Sequence, residues 1–263
     1  MFFESPVISF VILTVIFFIN LIGIFVYRKI AVKRAILANP NFRALHEISI
    51  PRGGGIIFGL IFVVGVILLW LFSSLSNELL FIYGLGGFAA TLLGIIDDIN
   101  DIGARKKLAM QIIICLIPLL WLYDDLLLKV VWIPSWVIIP VALLFLVWMI
   151  NAYNFMDGVD GIAASGAIFS SGVIAISLII MNGPLNLVFL LLLLMISVMT
   201  FLIFNWPPAS IFMGDSGSVF LGYIFGVLIL YTTINDYVST VSYTHLRAHE
   251  TVLDLVCRLL LEK

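Results

Sequence analysis

Residues 79–101 read LLFIYGLGGFAATLLGIIDDIND. The stretch 79–96 carries no charged side chain, and at about 18 residues it is long enough to cross the hydrocarbon core of a bilayer as a helix. It is followed at once by Asp97, Asp98 and Asp101. A membrane helix that ends in three carboxylates predicts both a membrane fold and a polar site at one end of the spans.

The rest of the chain has the same apolar character. Of its 263 residues, 63% are hydrophobic and 11% are charged, and the mean hydropathy is +1.24. This composition excludes an ordinary soluble globular protein. Because only closed barrels and helices can span a bilayer and the apolar runs have helix length, we predict an all-α, polytopic membrane helix bundle of about eight spans near 7–27, 55–72, 79–96, 108–123, 131–150, 161–181, 185–204 and 217–234.

Basic residues are concentrated in two loops, one between spans one and two and one between spans three and four. Short loops rich in Lys and Arg face the cytoplasm, so these loops are predicted to be cytoplasmic and the N-terminus to lie outside. The formal net charge is only −2, so no basic surface indicates a nucleic-acid partner. The residues that set this orientation are Arg28, Lys29, Lys33, Arg34, Arg43, Arg52, Arg105, Lys106 and Lys107.

The polar motifs fall at the same ends of the spans. They read PRGGG (51–55), DDINDIGARKKLAMQ (97–111), NAYNFMDGVDG (151–161) and NWPPASIFMGDSGS (205–218). Carboxylates gathered on one face repel each other unless cations lie between them, and Mg²⁺, or Mn²⁺ in its place, suits oxygen ligands and phosphates. The sequence therefore predicts a Mg²⁺ site among Asp97, Asp98, Asp101, Asp157, Asp160 and Asp215, with phosphate-binding cations at Arg43, Arg52, Lys106 and Lys107.

Each motif also has a simpler interpretation. The paired Asp97 and Asp98 could belong to a solvated loop, Asp160 or Asp215 could cap a helix, and His46 could be a surface residue. Gly53, Gly54 and Gly55 could serve only close helix packing. Taken one at a time these interpretations stay open, but they do not explain why all four polar motifs lie at the ends of the spans that are predicted to face the cytoplasm.

Five motifs, in this order, carry a family resemblance: NPNFRALH, PRGGG, GIIDDINDIGARKKLAMQ, NAYNFMDGVDGIA and FNWPPASIFMGDSGSVFLG. They resemble the polyprenyl-phosphate N-acetylhexosamine-1-phosphate transferase superfamily, which includes the phospho-MurNAc-pentapeptide translocases, over nearly all of residues 1–240. The sequences YNFMDGVDGIA and NWPPASIFMGD are most similar to the branch that initiates O-antigen and lipopolysaccharide synthesis. The resemblance implies a Mg²⁺-dependent enzyme of the bacterial inner (cytoplasmic) membrane with its active site on the cytoplasmic face. Its implied reaction transfers an N-acetylhexosamine-1-phosphate from a UDP-sugar to undecaprenyl phosphate and releases UMP.

The resemblance also implies roles for individual residues. Asp97 matches the position proposed as base towards the lipid phosphate, and Asp98 lies beside it as a catalytic residue and metal ligand. Asp215 matches the metal-binding Asp. The residues implied to shape the nucleotide-sugar and metal site are Asn154, Asp157 and Asp160, of which the two aspartates are also implied to be catalytic. Those implied to bind substrate are Arg43, His46, Arg52, Lys107 and Asn154. Ala38 stands where many members have Asp.

Two other classes of protein share some of these features. The segment DDIND fits the DDxxD pattern of intramembrane prenyltransferases that bind a prenyl diphosphate through Mg²⁺. Such an enzyme needs a second Asp-rich motif on a helix, and DGVDG matches that motif poorly. Carboxylates in membrane helices also occur in ion-coupled transporters, but here they lie at span ends. The sequence does not name the donor sugar.

Residues 241–263 read VSYTHLRAHETVLDLVCRLLLEK and differ abruptly from the chain before them. They resemble a translated sequencing-library adapter, so we interpret 1–240 as the transferase domain and 241–263 as an artefact that ends it early. We expect the native chain to continue with further spans and a His-containing loop. The alternative is an amphipathic tail helix, with Leu253, Val256, Leu259 and Leu260 on one face.

Overall fold

The computed structural model describes residues 6–34, 36–38, 49–73, 75–129 and 134–237. Two short strands, β1 (Leu37–Ala38) and β2 (Ile50–Pro51), pair antiparallel. A π-helical segment, Leu80–Leu85, joins α3 to α4, so that Asn77–Asn100 is one candidate span. The helices are α1 (Pro6–Lys33), α2 (Gly55–Phe72), α3 (Asn77–Leu79), α4 (Gly86–Asn100), α5 (Ala104–Trp121), α6 (Tyr123–Lys129), α7 (Ser135–Met156), α8 (Ile162–Ile180), α9 (Leu185–Asn205) and α10 (Asp215–Ile234).

Within these described ranges, seven helices are long and apolar enough to cross a membrane, or eight if α5 and α6, which are bent by 68°, form one broken span. Each of the eight predicted apolar runs falls on one of these helices. The prediction of an all-α, polytopic bundle is confirmed, and the protein is an integral membrane protein.

Helix α10 lies at the centre of the bundle and is the most buried of the candidate spans. It packs against α2, α4 and α7, while α8 packs against α9. The approach to α7 is so close that a Cβ atom on Gly222 would lie 2.5 Å from the Cα atom of Ile150. By contrast, α1 is the least buried span and exposes apolar side chains such as Val7 and Phe10, as expected of a helix that faces lipid. Helices α2, α4 and α7 are therefore arranged around α10.

Helix ends differ from the predicted spans in ways that matter for the site. Helix α4 runs on to Asn100, so Asp97 and Asp98 lie in its last turn. Asp101 follows in a left-handed conformation with φ of 47° and is exposed, so it does not share a helical face with Asp97. Arg43 and His46 lie outside the described residues, as does the segment 241–263.

Candidate functional site

Lys107 connects the acidic residues of two helices. Its Nζ atom lies 2.8 Å from Oδ2 of Asp97 at the end of α4 and also contacts Oδ2 of Asp215 at the start of α10. The Lys107 side chain is 16% exposed and that of Asp97 is 8% exposed. Two carboxylates are thus held close together because one ammonium group lies between them.

Asp215 has a second partner on α7. The side-chain amide of Asn154 donates to Oδ1 of Asp215 and also to Oγ of Ser218, at 3.0 Å in the second case. Residues from α4, α5, α7 and α10 therefore meet in one network. The motifs that carry these residues are distant in sequence but meet at one site, as their position at the same ends of the spans predicts.

Asp98 faces away from this network and towards the backbone. Its Oδ1 and Oδ2 atoms accept the N–H groups of Asp215 and Ser216 at 3.0 and 3.1 Å, and the residue is only 6% exposed. The guanidinium of Arg52 donates to the backbone carbonyl of Asp98. The two neighbouring aspartates thus have different partners, since successive helical side chains point about 100° apart.

The PRGGG segment lies against the chain that precedes Asp215. The N–H groups of Gly54 and Gly55 donate to the carbonyls of Phe212 and Met213, both at 2.9 Å, and Phe212 donates back to Pro51 at 2.8 Å. A Cβ atom on Gly55 would lie 2.2 Å from the Cα atom of Gly217. The glycines therefore allow two backbones to approach each other, as one of the simpler interpretations holds.

The loop after α7 contributes the other two predicted aspartates. Asp157 is the C-cap residue of α7; burial raises the pKa of its carboxyl well above its usual range, the carboxylates of Asp215 and Asp98 raise it further, and a hydrogen bond from the Gly214 backbone lowers it. Oδ2 of Asp160 accepts the N–H of Ala209 at 3.0 Å. Asp157 thus lies beside the network, whereas Asp160 joins its loop to the segment that leads towards α10.

Asn205 makes a second connection between these loops. Its Oδ1 atom accepts the N–H of Gly161 at 2.9 Å, and its Nδ2 atom donates to the carbonyl of Ile211 at 3.0 Å. The residue is buried. The loop after α7 and the segment before α10 are therefore fixed relative to each other.

The oxygen donors of the network suit a hard divalent cation. Asp97, Asp215 and Asn154 present carboxylate and amide oxygens, and Mg²⁺ needs only one or two carboxylates because it keeps waters and binds substrate phosphates. Across the part of the chain that the structure describes, no group of three or more His, Cys, Asp or Glu side chains is arranged to hold a metal by itself. These residues fit an ion that binds together with a phosphorylated substrate.

Most of the predicted site residues lie together. The network and its direct neighbours contain Asp97, Asp98, Lys107, Asn154, Asp157, Asp215 and Arg52. Sequence reasoning missed Asn205 and Ser218, and also the pair formed by Asn151 and Gln111, whose side chains are joined at 3.0 Å. Gln111 follows Lys107 by four residues, so it lies one helical turn further into the bundle on the same face.

The comparison with known proteins supports the family resemblance that these motifs carry. The model of the family described as "Glycosyl transferase family 4" matches residues 79–233. The chain is 29% identical over 218 residues to a probable undecaprenyl-phosphate N-acetylglucosaminyl 1-phosphate transferase of Bacillus subtilis (strain 168), covering 78% of this chain and 58% of that protein.

Two further relatives have related names. A phospho-N-acetylmuramoyl-pentapeptide-transferase of Streptococcus pneumoniae serotype 2 is 35% identical over 189 residues, 65% of this chain and 56% of that protein. An undecaprenyl-phosphate alpha-N-acetylglucosaminyl 1-phosphate transferase of Thermotoga maritima is 30% identical over 203 residues, 73% of this chain and 55% of that protein. The chain thus matches between 55% and 58% of the length of these three relatives.

Proposed function

The chain belongs to glycosyl transferase family 4, and from this premise we propose that it transfers an N-acetylhexosamine-1-phosphate from a UDP-sugar to undecaprenyl phosphate. The names of two relatives support both the lipid phosphate acceptor and the sugar 1-phosphate group that is transferred. In this reaction an oxygen of the lipid phosphate attacks the sugar-bound phosphorus of the UDP-sugar. The bond between the two phosphates of the donor breaks, and UMP leaves.

The observation that carries this proposal is the arrangement of Asp97, Lys107 and Asp215 at the end of membrane helices. Two phosphorylated substrates, one of them held in lipid, have to meet at such a surface. Lys107 supplies a positive charge for phosphate, and Asp97 beside it can take the proton of the acceptor phosphate so that its oxygen attacks as an anion. Catalysis of phosphoryl transfer consists mostly of such positioning and charge stabilisation.

We assign the metal site to Asp215, with Asp97 and Asn154 beside it. When bound, Mg²⁺ supplies positive charge to the diphosphate and its leaving group. Asn154 fixes the orientation of the Asp215 carboxylate through their hydrogen bond. Asp157 and Asp160 lie in the adjoining loop, where we expect the nucleotide-sugar to bind.

We further propose that the product begins a lipid-linked envelope glycan, of the O-antigen type. The similarity of the sequences YNFMDGVDGIA and NWPPASIFMGD to the branch of the family that initiates O-antigen synthesis supports this proposal. We place the site on the cytoplasmic face of the inner membrane, with the N-terminus outside, because the basic residues Arg28, Lys106 and Lys107 lie at the same ends of the helices as the acidic network.

The test is an assay of transfer in membranes. Membranes that contain the protein are incubated with Mg²⁺, undecaprenyl phosphate and a panel of labelled UDP-N-acetylhexosamines. We expect release of UMP and a lipid-extractable sugar phosphate with one or more donors, both abolished by EDTA. Formation of a prenylated product would indicate a prenyltransferase instead, and uptake of label without chemistry would indicate a transporter.

A further inference from the structure

Asp98 reaches the start of α10 from a neighbouring helix. Its two carboxylate oxygens accept the N–H groups of Asp215 and Ser216, the first two residues of α10, at 3.0 and 3.1 Å. The first N–H groups of an α-helix have no partner within the helix. Residue 214, which could otherwise supply a capping side chain, is glycine. Asp98 therefore caps α10 from α4, and its negative charge lies at the positive end of the helix dipole.

The contact between the two helices leaves no room for a side chain. A Cβ atom on Gly214, whose φ is +74°, would lie 2.7 and 2.8 Å from the two carboxylate oxygens of Asp98. One turn earlier on α4, a Cβ atom on Gly94 would lie 2.2 Å from the carbonyl oxygen of Asp215. The end of α4 and the start of α10 thus pack backbone against backbone, and Asp98 lies at the point where they separate.

The opposite side of the same loop is held by the PRGGG segment. Arg52 donates to the backbone carbonyl of Asp98, and Gly54 and Gly55 donate to the two residues that precede Gly214. Backbone contacts therefore fix residues 212 and 213, before Gly214. The Asp98 carboxylate fixes residues 215 and 216, after it. The direction in which the Asp215 side chain leaves the backbone depends on both.

We propose that Asp98 is a positioning residue, whose carboxylate holds the first turn of α10 so that Asp215 faces Lys107 and Asn154. This role differs from that of catalytic residue and metal ligand, which the family resemblance implies for Asp98. Both oxygens of Asp98 accept backbone N–H groups, whereas only one oxygen of Asp97 does, from Ile102, and its other oxygen contacts Lys107. The importance of Asp215 rests on the proposed function, but the capping of α10 does not.

The first test compares Asp98→Asn with Asp97→Asn by hydrogen–deuterium exchange of the whole protein in detergent or nanodiscs. An asparagine has one oxygen, so at least one of the two N–H groups loses its acceptor. We expect exchange at the amides of residues 215–216 to rise by about tenfold or more in Asp98→Asn and to stay near the wild-type rate in Asp97→Asn. Both variants should transfer poorly. Wild-type protection in an inactive Asp98→Asn protein would overturn the positioning role and assign Asp98 to the chemistry.

A second pair of variants leaves every carboxylate in place. Gly214→Ala introduces a methyl group against the oxygens of Asp98, while Gly103→Ala places the same group where no atom lies within 4 Å. We expect faster exchange at 215–216 and lost transfer in Gly214→Ala only; unchanged exchange would contradict the proposal. The exchange experiment needs no substrate. If the wild-type protein transfers no sugar phosphate, the proposed function fails, but the comparison still decides what Asp98 does.

Discussion

Lys107 and Asp97 form an ion pair of 2.8 Å between the first turn of α5 and the last turn of α4, and the same ammonium group contacts Asp215. One lysine therefore lies between two carboxylates that come from distant parts of the chain, and it compensates their negative charge only in part. The ammonium lies where a second cation would also be attracted. In the metal site that we propose, a divalent ion would act on the same pair of oxygens as the lysine.

This arrangement makes the replacement of Lys107 informative. In Lys107→Met the two carboxylates lose their shared cation and repel each other, so the variant should unfold at a lower temperature in EDTA than the wild type. Mg²⁺ can relieve that repulsion, so addition of Mg²⁺ should raise the unfolding temperature of the variant more than that of the wild type. Differential scanning fluorimetry in detergent measures both shifts.

The matched control for this prediction is Lys106→Met, because Lys106 is the exposed neighbour on the same helix. It should respond to Mg²⁺ as the wild type does. Equal Mg²⁺ shifts in Lys107→Met and Lys106→Met would show that the ion binds elsewhere and would remove Asp97 and Asp215 from the metal site.

A second prediction concerns the acidic members of the network. Asp97→Asn and Asp215→Asn should each lower the rate of sugar-phosphate transfer by roughly a hundredfold or more, because each removes a charge that acts on phosphate or metal. Asp124→Asn is the control, since Asp124 is exposed at the start of α6, in the loop predicted to face outside. UMP release by membranes is the measurement. Near-normal turnover in Asp215→Asn would exclude it from the site.

The sequence was sufficient to predict the spans and the convergence of the acidic motifs. Apolar runs of bilayer length leave few alternatives to helices, and loops that are separated by an even number of spans must lie on the same side of the membrane. Residues as distant in sequence as Asp97, Asn154 and Asp215 could therefore be grouped, and the structure brings them into one network.

The different contacts of Asp97 and Asp98 could not be predicted from sequence. Both occupy the last turn of α4, and which of them meets Lys107 depends on how α5 and α10 pack around that turn. The contact of Asn205 with Gly161 joins residues 44 positions apart. Neither residue type nor local spacing signals such a contact, because the partner is a backbone group and any loop could offer one.

That contact leads to a third prediction. Asn205→Ala removes one acceptor and one donor, leaving the buried N–H of Gly161 and the carbonyl of Ile211 without their partner. Each unsatisfied group costs about 1–3 kcal/mol, so the variant should unfold several degrees below the wild type. Asn186→Ala, at the half-buried start of the same helix, should change the unfolding temperature little. Similar unfolding temperatures for the two variants would contradict the role of Asn205.

The last prediction tests the side of the membrane on which the network lies. A cysteine at Ser76, in the loop between α2 and α3, should react in intact cells with a thiol reagent that does not cross the membrane. A cysteine at Gly103 should react only after permeabilisation, although its side chain would point into open space. Both are introduced in a background with Cys257→Ser, and Cys115 is buried. Because Gly103 lies between Asp97 and Lys107 in sequence, labelling at Gly103 in intact cells would place the network outside, where no UDP-sugar is supplied. The opposite labelling pattern would therefore overturn the predicted orientation and the proposed donor together.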